Sequence, residues 1–168
     1  MKDWQQLTKD VTAQMRVLRE GAPDVMKAFT AIAQAATAPK ALDGKAKELI
    51  ALGIAVAVRC DDCIGFHVKS ALQQGASREE VMETLGMAIY MGAGPSVMYA
   101  THALEAFTQF DAQKAAAAAD AASRAFVGKT VAEVEQDLIL QTLDHCFGNR
   151  THAANILGIS IQIGRAHV

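Results

Sequence analysis

Apolar residues return at every third or fourth position from the start of the chain, at Trp4, Leu7, Val11, Met15 and Leu18. That is the spacing of one helix face. It predicts a helix over about residues 3 to 19, interrupted by Gly21-Ala22-Pro23, and a second from about Asp24 to Ala36, because glycine and proline punctuate helical patterns. Residues 39 to 44 predict a turn. From Lys45 to Arg59 the apolar run Leu49 to Val58 is nearly continuous, so this helix is expected to be buried on most sides. Asp61 and Asp62 are candidate caps for the next helix, which holds Cys63 and His67 and stops near Gly75. Ser77-Arg78-Glu79-Glu80 has capping-box spacing, with Ser77 as N-cap and Glu80 as its reciprocal partner. The helix it opens is expected to end in Met91-Gly92-Ala93-Gly94-Pro95, and another to follow from about Ser96 to Phe110.

After Phe110 the pattern changes. Residues 111 to 126 carry five consecutive alanines with little to bury, and predict a helical or frayed linker. Val131 to about Cys146 predicts a helix, Gly148-Asn149 a turn, and Thr151 to Leu157 a short second helix. The expected organisation is a core domain over residues 1–111, an Ala-rich linker over 112–129 and a partial helix-turn-helix over 130–162.

Composition agrees with the helical pattern. The 168 residues are 51% hydrophobic but only 5% aromatic, so the core is made of Ala, Leu, Ile, Val and Met, which suits packed helices and an all-α fold. Four methionines, Met82, Met87, Met91 and Met98, are expected in core or interface packing, while Ala, Gly and Met near residues 86 to 98 are candidates to line a pocket. A formal net charge of −2 gives no overall attraction to nucleic acid or an anionic membrane. No apolar run reaches the roughly 18 uncharged residues a membrane span needs, and a start containing Asp3, Lys9, Asp10 and Arg16 lacks signal-peptide shape. A cytoplasmic protein is therefore expected. In that reducing compartment three cysteines point to redox or metal chemistry before a disulfide framework.

The chemistry concentrates in Cys60-x-x-Cys63-x-x-x-His67, with Glu48 twelve residues upstream. On a helix, Cys63 lies about 60° and His67 about 20° from the direction of Cys60, so all three can face one cleft. Two thiols so spaced can close into a disulfide and reopen, and His67 can hold or return a proton. If the helix begins near Cys60, the thiols also meet the unpaired N–H groups of its first turn, which favour a thiolate. Glu48 stands about 120° away on a continuous helix. Its participation requires the chain to break near Arg59 and fold back. Taken alone the motif leaves packing, redox and zinc open, although one helix turn is a cramped frame for a tetrahedral zinc site and no fourth ligand is evident.

Four blocks decide among these. Lys47-Glu48-Leu49-Ile50-Ala51-Leu52, Arg59 to His67, Gly75 to Val81 and Met91 to Tyr99 together resemble the alkylhydroperoxidase D core of the carboxymuconolactone decarboxylase family, over about residues 10 to 105. The resemblance implies a helical fold assembling into trimers or hexamers and a peroxiredoxin-like thiol peroxidase active in antioxidant defence. It implies Cys60 and Cys63 as the redox pair and Glu48 with His67 as a proton relay, with no metal or cofactor. The substrate would be a hydroperoxide and the reductant a dithiol or lipoyl-type donor. The family's founding decarboxylase branch acts on a lactone acid and lacks the paired cysteines, so Cys60 and Cys63 argue against that reaction.

The C-terminal blocks Thr130 to Leu140 and Gly148 to Ser160 resemble the Fis-type helix-turn-helix of enhancer-binding transcription regulators. Ala153-Ala154 and Leu157-Gly158-Ile159 supply the small and apolar positions where its helices cross. The groove-reading helix would begin at Ser160-Ile161-Gln162. The final Ile163-Gly164-Arg165-Ala166-His167-Val168 is what a common sequencing adapter encodes in one frame, and is read as a library scar beyond which the natural protein continues. Glu133, Glu135, Asp137 and Asp144 outnumber Arg150 over residues 130 to 162, which is no phosphate-binding surface. DNA binding is expected only where this motif is complete. A redox-linked regulator in the longer parent and an artificial joining of the two halves are the alternatives.

Overall fold

The structure is a computed structural model and describes residues 2–159. Among these residues every regular element is a helix: α1 (Trp4–Gly21), α2 (Pro23–Thr37), α3 (Gly44–Ala57), α4 (Asp61–Gln73), α5 (Arg78–Arg124), α6 (Val131–His145) and α7 (Arg150–Leu157). They form two compact units that divide between Ala116 and Ala117.

In the first unit local chemistry starts each helix. Asp3 caps α1 through the Gln6 N–H, Asp43 caps α3 through the Ala46 N–H, and Pro23 opens α2, where its missing N–H costs nothing. The Ser77–Glu80 capping box forms as expected, the Ser77 N–H donating to Glu80 at 2.8 Å and the Glu80 N–H to the Ser77 hydroxyl at 3.2 Å. Side chains of Trp4, Leu52, Val56, Ile64, Val68 and Val81 make the sealed centre. Helix α1 approaches α4 closely at Gly65, where a Cβ would come within 3.0 Å of the Thr8 methyl and 3.4 Å of the Trp4 ring.

One expectation is corrected. Helix α3 is not buried on most sides: Leu52, Ala55 and Val56 face the core, but Ile50, Ile54 and Val58 are exposed. An open apolar cleft of about 340 Å³ runs along that outer face, lined by Leu49, Ile50, Gly53, Ile54, Met87 and Met91 among others. Met82, Met87, Met91 and Met98 are exposed in the single chain, which leaves interface packing of the two forms expected for them. The centre is filled instead by small residues such as Ala88, Ala100, Ala103 and Ala106, which bring α5 too near to leave room for methionine. The Ala-rich stretch is helical, one of the two forms expected for it. Helix α5 runs on through it to Arg124, as the high helix propensity of alanine favours.

The expected break at residues 91 to 95 is present, two helices meeting there at a kink. Ala93 alone leaves helical geometry, at φ 53° and ψ −149°, and Pro95 then falls in the first turn of the resumed helix, where it is tolerated. Gly92 is required there, since a Cβ would overlap the buried Ser96 hydroxyl. The Ala93 conformation is one that only glycine adopts freely. Ala93→Gly is therefore expected to stabilise the chain by about 1 kcal/mol, the strain relieved outweighing the added unfolded-state entropy. Chemical denaturation of the two proteins checks this, and equal midpoints would contradict it.

In the second unit, Thr130 and Glu133 make a capping box for α6, Asn149 caps α7, and Gly158 ends it at φ 65°. Ile139, Cys146, Ala153 and Ala154 are its buried residues, so the two alanines lie where close helix crossing was expected. The groove-reading start at Ser160 to Gln162 and the terminal segment 163–168 lie outside the described residues.

Candidate redox site

The site exists because α3 ends abruptly. Arg59 takes a left-handed conformation, φ 63°, its N–H donates to the Val56 carbonyl at 3.2 Å, and the Cys60 N–H reaches back to Ala55 at 3.0 Å. These two bonds make a Schellman ending on a residue other than glycine. The reversal satisfies the last carbonyls of α3 and turns the chain within three residues. It lays α4 against α3, and Glu48 then meets His67 across the two helices, Oε2 to Nδ1 at 2.8 Å. This is the chain break that Glu48 needed, and Asp61 and Asp62 do not make it.

Cys60 is the N-cap of α4 in place of either aspartate. Its sulfur accepts the Cys63 N–H at 3.2 Å, and the two cysteines form a disulfide with their Cα atoms 5.2 Å apart. Both sulfurs therefore sit at a helix N-terminus, where unpaired N–H groups and the macrodipole stabilise negative charge once the bond is reduced. Cys60 precedes the helix and Cys63 lies in its first turn, so the single-helix geometry expected for the pair holds only from Cys63 onward. His67 follows one turn after Cys63. Its side chain is 32% exposed and that of Glu48 13%. A carboxylate can only accept, so with Glu48 ionised Nδ1 carries the proton, and in the neutral ring the lone pair is on Nε2. Among the described residues no group of three or more His, Cys, Asp or Glu side chains is placed to hold a metal ion.

The structure thus brings Cys60, Cys63, His67 and Glu48 to one corner of α3 and α4. It also gives Asp61, expected as a cap, two partners that the sequence pattern did not single out. Asp61 turns away from the helix terminus to His102 of α5, Oδ1 to Nδ1 at 2.8 Å, and pairs with Lys2. His102 is forty-one positions beyond Asp61, and no periodicity or spacing marks it.

Residues 23–106 match the carboxymuconolactone decarboxylase family, and residues 130–162 match the Fis family of bacterial regulatory proteins. An apo structure of a carboxymuconolactone decarboxylase family protein from Legionella pneumophila is 52% identical, covering 66% of this chain and 98% of that one, with a TM-score of 0.64. A family member from Thermotoga maritima, described with a candidate role in the antioxidative response, is 26% identical over 66% of this chain and 94% of its own, with a TM-score of 0.61. The transcriptional regulatory protein FlbD of Caulobacter vibrioides is 78% identical over 51 residues, 30% of this chain. That match spans only 11% of FlbD.

Proposed function

The chain belongs to the carboxymuconolactone decarboxylase family, and from that premise we propose that its first unit is a thiol peroxidase working through Cys60 and Cys63. The observation that carries the proposal is the cysteine pair at the N-terminus of α4 beside the Glu48–His67 pair. One thiolate attacks the peroxide O–O bond, taking one oxygen as sulfenic acid while the other leaves, protonated, as alcohol or water. The second thiol condenses with the sulfenic acid, releasing water and closing the Cys60–Cys63 disulfide. A dithiol, free or lipoyl-type, then reduces it and is itself oxidised to a disulfide.

His67 is suited to take the proton from the attacking thiol and return it to the leaving oxygen, with Glu48 orienting the ring and stabilising its charged form. We assign the attack to Cys63, the nearer cysteine to His67 along α4. The apolar cleft beside α3 and the exposed methionines suit burial against further copies of the chain, in a trimer or hexamer. A cytoplasmic antioxidant role accords with a pair that must be reduced again after each turnover. The Thermotoga maritima relative's description supports the same role. A lactone decarboxylase is the lesser alternative, because that chemistry has no use for a reversible disulfide.

Hydroperoxide-dependent consumption of a dithiol by the purified chain tests the proposal. No consumption with any of hydrogen peroxide, an alkyl hydroperoxide, dithiothreitol or dihydrolipoamide would sink it.

The match to the Fis family and the likeness to FlbD favour a second role, DNA binding through the second unit. A gel-shift titration of the chain, oxidised and reduced, tests whether redox state and DNA affinity are coupled. Equal affinities would exclude coupling.

A further inference from the structure

Beyond the Glu48–His67 pair, one charged cluster is built around the redox turn from three separate parts of the chain. Asp61 is the first residue of α4 and lies between the cysteines in sequence, yet its carboxylate does not cap the helix, because the Cys60 sulfur does. The carboxylate is held on the α5 side by His102 and by Lys2. Those two partners are themselves fixed. The His102 ring packs against Tyr99, with centroids 5.0 Å apart, and against Trp4 at 6.2 Å. The Lys2 ammonium stands 5.6 Å over the Trp4 ring.

Gln109 locks the backbone beneath them, donating to the Lys2 carbonyl at 2.7 Å and accepting from the Trp4 N–H at 2.9 Å. The Trp4 indole donates to Glu105 at 3.1 Å. His102, Glu105 and Gln109 follow i, i+3, i+7 spacing along one face of α5. That face clamps the N-terminal segment onto the redox turn.

A full negative charge on the first residue of α4 opposes thiolate formation at its neighbours, while the helix terminus favours it. The balance depends on how far Asp61 is offset. Burial works against its ionisation, yet the hydrogen bonds from Lys2 and His102, with their charges, hold its carboxyl below the usual carboxylate range. Asp62, the other acid between the cysteines, is exposed and takes no part in this cluster.

We propose that Asp61 sets the thiolate character of the Cys60–Cys63 pair, and that His102 and Lys2 are positioning residues that act through it by holding and offsetting its charge. The proposal rests on the reading of these cysteines as a redox pair, but not on peroxide as the substrate.

The full chain, reduced and freed of reductant, is alkylated with iodoacetamide across a pH series. Mass spectrometry quantifies Cys60 and Cys63 separately from the buried Cys146. Equilibration with reduced and oxidised glutathione reads the stability of the disulfide in parallel. Asp61→Asn is expected to speed alkylation of the pair at neutral pH by about three- to tenfold, since a neighbouring charge moves a thiol pKa by roughly one unit. His102→Leu, which removes a donor to Asp61, and Lys2→Met are expected to slow it by about threefold. Melting curves identify the variants that fold. Wild-type alkylation profiles and wild-type glutathione equilibria in the folded variants would overturn the proposal, whichever of the three those are, and so would slower alkylation in Asp61→Asn. Because no peroxide is added, a chain inert to every peroxide but showing these shifts would refute the peroxidase while sustaining this role for Asp61.

Discussion

Cys63→Ser is expected to abolish peroxide-dependent dithiol consumption, by at least about 10³-fold, because a serine hydroxyl forms no thiolate at neutral pH and cannot be oxidised by peroxide. Cys60→Ser is expected to lose turnover as well, but in a different way. With Cys63 intact and no dithiol added, one equivalent of peroxide is still consumed and a single oxygen is added at Cys63, which has no partner thiol in the chain to close the disulfide. The pair of variants thus separates attack from resolution. A burst retained in Cys63→Ser and lost in Cys60→Ser would reverse the assignment. Undiminished steady turnover in either variant would remove the disulfide from the mechanism. Both serines are near-isosteric with the thiol they replace, and neither cysteine is fully buried, so the folded state should survive and the comparison should reflect chemistry.

His67→Gln is expected to lower turnover with a saturating dithiol by about 10²- to 10³-fold, the usual scale for a positioned acid–base group. Its side chain is 32% exposed, so the loss should come without a comparable fall in melting temperature. Glu48→Gln should cost less, about tenfold, because glutamine still accepts the Nδ1–H of His67 and only the stabilisation of its charged form is lost. If Glu48 works through His67, the double variant should be little slower than His67→Gln alone, since coupled residues are not additive. Steady-state rates of the three proteins check this. A double variant slower by the full product of the single effects would mean that Glu48 acts on its own.

Much of this was legible in the residues themselves. Helix starts could be read because their chemistry is local: Ser77 and Glu80 satisfy each other's N–H groups within one turn, and Thr130 with Glu133 does the same. The identities Cys60, Cys63 and His67 were marked by spacing, and Glu48 by its place in a family pattern. The way Glu48 arrives was legible only in part. A break near Arg59 was required by helical periodicity, but its cause, a left-handed arginine, carries no sequence signature because glycine is the usual residue there. Asp61 shows the opposite failure. An aspartate beside a helix start reads as a cap, and only the approach of Lys2 and His102, both remote in sequence, takes it elsewhere.

Long-range competition explains the remaining miss. A continuous apolar run at Leu49 to Val58 says that α3 is apolar, but not which side another helix covers. The outer side lies open along the α3 cleft. The break expected at residues 91 to 95 falls at Ala93, and Pro95 is tolerated in the first turn of the helix that follows it. Two glycines and a proline mark that break in the sequence itself.

The most direct measurement is mass spectrometry of the reduced chain after one equivalent of an alkyl hydroperoxide. The expected result is loss of the mass of two hydrogen atoms, a single new disulfide mapped to Cys60 and Cys63, a stoichiometric yield of alcohol, and full reversal by dihydrolipoamide. A chain that leaves the peroxide intact, or that is oxidised at methionine or at Cys146 while Cys60 and Cys63 stay reduced, would contradict it.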